Sequence, residues 1–211
     1  MTDTLVIVFV KNIILGTVKT RLAKTIGDIG AFEVYSELVK ITEKATEALD
    51  VDKRIYFSNA VVDTKWPNEF KTVQNGTDLG DRMLNAFKDG FQAGYKKIVL
   101  IGSDLPDINA KHITKGIDAL TNNNVVFGPA EDGGYYLVGM SNMEELIFKN
   151  KPWSQPNLLE LTLKELEIAQ IKVEILETLN DIDNYEDLIA SEFYKSNLDL
   201  QEKIQIEIFN H

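Results

Sequence analysis

Leu5-Val-Ile-Val-Phe-Val10 is a continuous apolar and largely β-branched run, and Lys11-Asn-Ile-Ile-Leu-Gly16-Thr-Val-Lys19-Thr-Arg21 follows it. A run of this kind is typical of a strand buried on both faces of a parallel sheet. The glycine permits a turn, and Lys19-Thr20-Arg21 stands where a helix begins. A strand, a glycine-containing loop and a helix in this order predict the first unit of an α/β domain.

Strand and helix patterns alternate along the rest of the chain. We expect helices at about 20–49 (broken near Gly27 to Gly30), 79–95, 109–120, 158–168 and from Tyr185, and strands at 54–57, 71–74, 97–102, 125–127, 135–139 and 172–176. This alternation predicts a mostly parallel sheet covered by helices on both faces. A length of 211 residues predicts one domain over 1–211. Ligands of such sheets collect beyond the carboxyl ends of the strands.

The composition excludes several classes of protein. A hydrophobic fraction of 44% is too high for intrinsic disorder, and the absence of cysteine excludes disulfides, thiolate zinc sites and cysteine nucleophiles. The two histidines, His112 and His211, leave little room for histidine chemistry. No apolar run is long enough to span a membrane or to form a signal-peptide core, so we expect a cytoplasmic protein. A net charge of −11 disfavours nucleic acid as a partner.

One stretch departs from this acidity. Residues 4–27 carry Lys11, Lys19, Arg21 and Lys24 without any acidic residue. Backbone N–H groups at a helix start, a lysine and an arginine suit a di- or triphosphate. The glycine patterns of the dinucleotide-binding and Walker-type loops are absent after the first strand. The alternative is that Lys19 and Arg21 are solvated charges, although cations at a helix start oppose the helix dipole.

Five segments in combination resemble a bacterial family labelled nucleotide-diphospho-sugar transferase or glycosyltransferase. They are KNIILGTVKTRL (11–22), DLGDRM (78–83), GSDLP (102–106), PAEDGGYYL (129–137) and DID (181–183). The family is similar to the 2-phospholactate and molybdenum-cofactor guanylyltransferases. It usually has two prolines where Ile13 and Leu15 stand, which predicts a looser loop here. The resemblance implies the glycosyltransferase-A fold, a three-layer α/β/α domain with a mixed, mostly parallel sheet.

On this resemblance we expect a site for Mg²⁺ or Mn²⁺ held by aspartates. Asp104 follows the strand that ends at Gly102, where a carboxylate reaches a metal that bridges phosphate oxygens; the alternative is a turn-forming role before Pro106. Asp181 and Asp183 follow the last strand and are candidates for the second ligand, with Asp183 preferred. For Asp183 the alternative is a helix N-cap paired with Glu186.

The resemblance also implies contacts for the nucleotide and for an acceptor. We expect the nucleotide to contact the set Lys11, Gly16, Lys19, Thr20, Arg21, Gly80, Arg82 and Ser103. The alternative to a phosphate contact by Arg82 is an ion pair with a nearby acid at an ordinary helix start. We expect the acceptor to contact the set Glu131, Asp132, Gly133, Gly134 and Trp153, with Asp132 orienting or deprotonating it. The glycine pair equally fits a tight turn, and a lone tryptophan is more often packing.

These features predict a metal-dependent transferase that uses a nucleotide or nucleotide-sugar donor and a small-molecule acceptor. In the leading version a nucleotide-diphospho-sugar gives its sugar to the acceptor. In the alternative the acceptor attacks a nucleoside triphosphate and pyrophosphate leaves, with Lys19 and Arg21 stabilising the leaving charge. A third reading is a nucleotide-binding module without turnover. The sequence leaves open the base, the acceptor and the oligomeric state, for which a homodimer is one option.

Overall fold

The computed structural model describes residues 2–210, so Met1 and His211 lie outside the described part. The strands are β1 (Thr4–Val10), β2 (Asp52–Phe57), β3 (Phe70–Val73), β4 (Lys97–Ile101), β5 (Val125–Pro129), β6 (Tyr135–Met140) and β7 (Val173–Ile175). The helices are α1 (Thr20–Glu47), α2 (Leu79–Gln92), α3 (Ala110–Ala119), α4 (Leu158–Ile168), α5 (Tyr185–Ala190), α6 (Glu192–Ser196) and α7 (Leu198–Asn210), with a 3-10 turn at Glu145–Ile147.

The strands form a seven-stranded sheet in the order β3-β2-β1-β4-β6-β5-β7 within the described residues. β1 pairs in parallel with β2 and β4, and β2–β3 and β5–β7 are also parallel. β6 runs antiparallel to both of its neighbours, β4 and β5. The predicted mixed, mostly parallel sheet is therefore confirmed. Because β6 is reversed, its first residues lie at the edge where the other strands end.

Helices cover both faces of the sheet, which confirms the predicted three layers. Side chains of β1 alternate between the two faces: Val6 and Val8 pack with Tyr35 and Val39 of α1, whereas Leu5 and Ile7 pack with the α2 and α4 side. A third cluster lies on the outer side of α1, where Leu22, Ile26, Val34 and Leu38 meet Ile182, Leu188, Leu200 and Ile204. This last cluster fixes the chain after β7 against the first helix.

The element bounds differ from the predicted ones in a few places. α1 is broken at Gly27, whose φ of 75° and ψ of 164° are not helical, as predicted. The expected single closing helix is instead three helices. Ser191 and Asn197 interrupt it, because each side chain accepts a hydrogen bond from a backbone N–H of the next helix, that of Tyr194 and of Leu200. No helix within residues 2–210 has the length and apolar character of a membrane span.

Candidate functional site

Lys19 stands directly before α1 with an unusual backbone. Its φ and ψ are both 47°, the left-handed conformation, and its side chain makes no capping bond to the helix. A left-handed lysine costs roughly 1–2 kcal/mol relative to its ordinary conformations. The first turn of α1 carries no acidic residue. Contacts of the Lys19 side chain must therefore compensate the cost of the left-handed backbone.

Two carboxylates from distant loops surround the Lys19 ammonium. Nζ lies 3.1 Å from Asp104 Oδ2 and 3.9 Å from Asp183 Oδ1, and only 4% of the Lys19 side chain is exposed. Arg21 Nη1 lies 2.6 Å from the other oxygen of Asp183. Lys19 and Arg21 at the start of α1 thus contact the acids that follow β4 and β7. The two groups meet at the edge of the sheet where the parallel strands end, which is the edge expected from the sequence.

The charges of this cluster affect the carboxylate pKa values. Burial alone would raise the pKa of Asp104, but the charge and hydrogen bond of Lys19, aided by Lys11, hold it below its ordinary value. The pKa of Asp181 is raised to about 6, first by burial and then by the nearby carboxylates of Asp104, Asp132 and Asp183, against the opposing effect of Lys19. Asp181 is therefore near enough to the other three aspartates to respond to their negative charge, which favours a cation at this place.

Among residues 2–210 no three carboxylate or histidine groups converge closely enough to enclose a metal by themselves. Mg²⁺ usually takes only one or two carboxylates and completes its shell with water and phosphate oxygens. Asp104 and Asp183 both contact one ammonium ion, so their oxygens flank a position that a small cation would fit. The donor set suits Mg²⁺ or Mn²⁺ in the presence of a phosphate ligand.

The helix-capping alternative for Asp183 is wrong by one residue. The N-cap of α5 is Asn184, whose Oδ1 accepts from the Asp187 N–H at 3.0 Å, and Asp187 accepts in turn from the Asn184 N–H at 3.0 Å. Glu186 takes no part in this capping box. The side chain of Asp183 is thus free of any capping duty and faces Lys19 and Arg21.

Ser103 lies beside this cluster but its hydroxyl is buried. Its Oγ is 2.8 Å from Tyr35 Oη, and that phenolic oxygen also accepts from the Lys11 N–H at 2.9 Å. Tyr35 therefore ties α1 to the ends of β1 and β4. A nucleotide contact by Ser103 stays a prediction, and its hydroxyl serves to hold the two loops together. The sequence analysis did not identify this pair of hydroxyl groups.

Asn12 is a second positioning residue that the sequence analysis missed. Its Oδ1 accepts from the N–H groups of Asn59 and Ala60 at 2.8 and 3.2 Å, and its Nδ2 donates to the Ala60 carbonyl at 2.7 Å. One amide thereby joins the loop after β1 to the loop after β2. The available signal in the sequence was an asparagine two residues after the apolar run of β1, and the structure shows that it is buried.

Three of the predicted nucleotide-binding residues of the first loop lie at the surface. Lys11, Gly16 and Thr20 are exposed, and Gly16 has the positive φ of 77° that favours glycine. Of the two positions where the family usually has proline, Leu15 is also exposed, whereas Ile13 is partly buried against the core. The loop thus leaves Lys11 and Thr20 accessible to a ligand, and their nucleotide contacts stay predictions.

Gly80 and Trp153, predicted for different ligands, are in direct contact. A Cβ at Gly80 would lie 2.6 Å from Trp153 Cζ2 and 2.7 Å from the Phe148 carbonyl. Trp153 packs against the core cluster on the α2 side, which is the packing role considered for it above. Arg82 Nε donates to the Gly76 carbonyl at 3.3 Å and so holds the loop before α2. Ligand contacts by these three residues stay predictions.

The loop between β5 and β6 is a tight turn. The Ala130 N–H donates to the Gly134 carbonyl, and Asp132 Oδ1 accepts from the Gly134 N–H at 2.8 Å. Gly133 has a φ of 87°, and a Cβ there would lie 1.8 Å from the Pro156 carbonyl oxygen. Glycine is required here because the protein's own backbone at Pro156 approaches closely. This contact agrees with the tight-turn alternative for the glycine pair. Glu131 and Asp132 remain exposed at the tip.

Comparisons with known proteins agree with this architecture. A family model described as "Uncharacterized protein conserved in bacteria (DUF2064)" matches residues 42–155, just over half of the chain. No curated protein matches the sequence. A crystal structure from Desulfovibrio desulfuricans G20, provisionally named a nucleotide-diphospho-sugar transferase, is similar with a TM-score of 0.85 at 26% identity; the match covers 100% of this chain and 98% of that one.

Two more distant structures share the fold. The inositol-1-phosphate CTP transferase from T. maritima has a TM-score of 0.56 at 15% identity, and the match covers 97% of this chain and 96% of that one. Rv0371C from Mycobacterium tuberculosis H37Rv, in complex with manganese, has a TM-score of 0.55 at 13% identity, and the match covers 93% of this chain and 100% of that one. The expected resemblance and fold class are confirmed.

Proposed function

The chain belongs to the bacterial family DUF2064, and on that premise we propose that it is a metal-dependent transferase whose donor is activated by a nucleotide. The observation that carries the proposal is the position of Lys19 and Arg21 beside Asp104 and Asp183. A diphosphate needs cations for its oxygens, and a divalent metal needs carboxylates. This cluster supplies both within one group of side chains.

In this proposal the acidic residues of the cluster hold the metal and the basic residues contact the phosphates. When bound, Mg²⁺ or Mn²⁺ would be held by Asp104 and Asp183, with Asp181 near them, and would neutralise the phosphate oxygens as a Lewis acid. Lys19 and Arg21 would stabilise the negative charge that develops on the leaving phosphate. Lys11, exposed at the end of β1, would attract the donor. The manganese bound by the M. tuberculosis relative supports the choice of metal.

Sugar transfer is the leading version, and the named activity of the D. desulfuricans relative supports it. In this reaction the bond between the sugar's anomeric carbon and the donor phosphate oxygen breaks, and a nucleoside diphosphate leaves. A bond forms from an acceptor oxygen to the anomeric carbon. The acceptor proton goes to a base, for which exposed Asp132 at the β5–β6 tip is our choice because its carboxylate lies near the aspartate cluster.

Nucleotidyl transfer is the second version, and the concentration of cations at the start of α1 favours it. Here an acceptor phosphate or carboxylate oxygen attacks the α-phosphorus of a nucleoside triphosphate, the bond to the bridging oxygen breaks, and pyrophosphate leaves. Pyrophosphate carries more negative charge than a nucleoside diphosphate, so Lys19 and Arg21 would assist its departure more strongly. The cytidylyl-type chemistry named for the T. maritima relative supports this version.

Product analysis separates the two versions. Purified protein with Mg²⁺ is incubated with each nucleoside triphosphate and each common nucleotide sugar, together with pooled small-molecule acceptors. Release of nucleoside diphosphate from a nucleotide sugar supports sugar transfer. Release of pyrophosphate from a triphosphate, with no turnover of any nucleotide sugar, replaces it by nucleotidyl transfer. Donor binding that is equal with and without metal, and without turnover, contradicts both.

A further inference from the structure

The Lys19 ammonium lies between Asp104 and Asp183, the two residues that would hold a metal. Its distances to the two carboxylate oxygens, 3.1 and 3.9 Å, show that one cation already serves both acids. The side chain is 4% exposed, so water solvates its charge poorly and the two carboxylates are its main stabilisation. Lys19 and a metal ion therefore compete for the same negative charges.

The backbone of Lys19 reinforces this placement. Lys19 has a left-handed backbone at φ 47°, whereas a residue before a helix usually has an extended one. Its side chain makes no capping hydrogen bond to the helix. Glycine and asparagine are the residues that adopt this conformation readily. A lysine here indicates that the ion pair, rather than the local backbone preference, determines the residue type.

We propose that Lys19 is an internal counter-ion that keeps free divalent metal out of the Asp104–Asp183 pair and yields the pair only when a polyphosphate arrives with the metal. This inference rests on the proposed function, because it needs a phosphate donor. The donor's phosphates supply Lys19 with new anionic partners, so the carboxylates become available to the metal. By linkage, nucleotide and metal then each strengthen the binding of the other by the same factor.

Arg21 does not perform this role. Its side chain is 70% exposed and its one ion pair among residues 2–210 is with Asp183, so water can solvate it whenever Asp183 takes another partner. Lys19 has no such option because its ammonium is enclosed. The exchange of partners is therefore specific to one of the two cations.

The test measures binding of Mn²⁺ alone to the nucleotide-free protein, with free Mn²⁺ followed by electron paramagnetic resonance. Lys19→Met removes the ammonium, and Lys19→Gly does so with a residue suited to the positive φ, which guards against misfolding of the first variant. Lys53→Met is the matched control. Its lysine is similarly buried, with 9% of the side chain exposed, pairs with Glu69 at 3.2 Å, and lies at the opposite end of the strands.

We expect both Lys19 variants to bind Mn²⁺ at least about tenfold more tightly than the wild type, since a unit charge at this distance is removed, and Lys53→Met to change affinity less than about twofold. A non-hydrolysable nucleoside triphosphate should tighten Mn²⁺ binding to the wild type more than to the Lys19 variants. Equal Mn²⁺ affinity of wild type and both Lys19 variants overturns the counter-ion role, even if transfer activity is found. Tighter Mn²⁺ binding by the Lys19 variants supports the exclusion of free metal by Lys19. If no nucleotide then binds, the release of the carboxylate pair by polyphosphate is contradicted together with the proposed function.

Discussion

Arg21 Nη1 donates a hydrogen bond of 2.6 Å to Asp183 Oδ2 and so joins the start of α1 to the loop after β7, 162 positions away. The arginine is largely exposed, and exposed ion pairs contribute only about 0–1 kcal/mol to stability. The contact therefore contributes little to the stability of the fold. Its two members are available to a ligand at little cost to the fold.

Replacing Arg21 by Met should lower affinity for a nucleoside triphosphate with Mg²⁺ by about tenfold or more, because a charge-assisted contact to phosphate is lost. The free energy of unfolding should change by less than about 1 kcal/mol. Isothermal titration and urea denaturation measure the two quantities. Lys24→Met, an exposed cation of the same helix, is the control. An equal loss of affinity in both variants would show that only general charge is involved.

Replacing Asp104 by Asn should abolish the Mg²⁺-dependent part of stabilisation by nucleotide, measured as a thermal shift with and without the metal. Lys19 also loses its nearest carboxylate while its side chain is buried, so the free energy of unfolding should fall by about 1–3 kcal/mol. Asp107→Asn makes the same change of charge at an exposed acid three residues on and should do neither. Matching behaviour of the two variants would contradict the metal role.

Substitutions at the adjacent residues Asp183 and Asn184 should have different effects, one on nucleotide binding and the other on the stability of the fold. Asn184→Ala removes the cap of α5 and should lower the free energy of unfolding by about 1 kcal/mol without affecting nucleotide binding. Asp183→Asn should weaken binding of nucleotide with Mg²⁺ and change unfolding by less than about 1 kcal/mol. Each variant serves as the control for the other in urea denaturation and titration. The reverse pattern would assign the cap to Asp183.

Gly133→Ala should destabilise the protein by about 3 kcal/mol or more in urea denaturation, because the new Cβ would lie 1.8 Å from the Pro156 carbonyl at a φ of 87°. Gly94→Ala isolates the backbone effect, since Gly94 has a φ of 95° with no atom within 4 Å of the added Cβ. It should cost only about 1–2 kcal/mol. If the two variants cost the same, the packing of the turn on Pro156 is not the reason for the glycine.

The sequence was sufficient to predict those parts of the fold that depend on local patterns. The β-branched run of β1 and the break of α1 at Gly27 follow from residue type and spacing, and both are present. The bounds of the closing helices did not follow, because Ser191 and Asn197 interrupt a pattern that is otherwise helical. The end of one helix and the start of the next are set here by a single capping side chain.

The site was predictable in its location but less so in its contacts. Cations at the start of a helix and acids after two strands had to meet at one sheet edge, because parallel strands end together. The contact of Gly133 with Pro156 and the hydroxyl pair of Tyr35 and Ser103 depend on how distant segments pack, which no local pattern encodes. For the glycines at 133 and 134 the sequence left open a ligand site and a tight turn, and only this tertiary contact shows the turn; an acceptor contact there stays a prediction.

The reversed direction of β6 has an electrostatic consequence for the two halves of the ligand edge. On the β1 side the chain enters a helix start with lysine and arginine, whereas on the β5–β6 side it presents a hairpin tip with Glu131 and Asp132. An anionic molecule is attracted by the first half and repelled by the second. Under the proposed function, an elongated donor with phosphates at one end would bind with its uncharged end toward the hairpin.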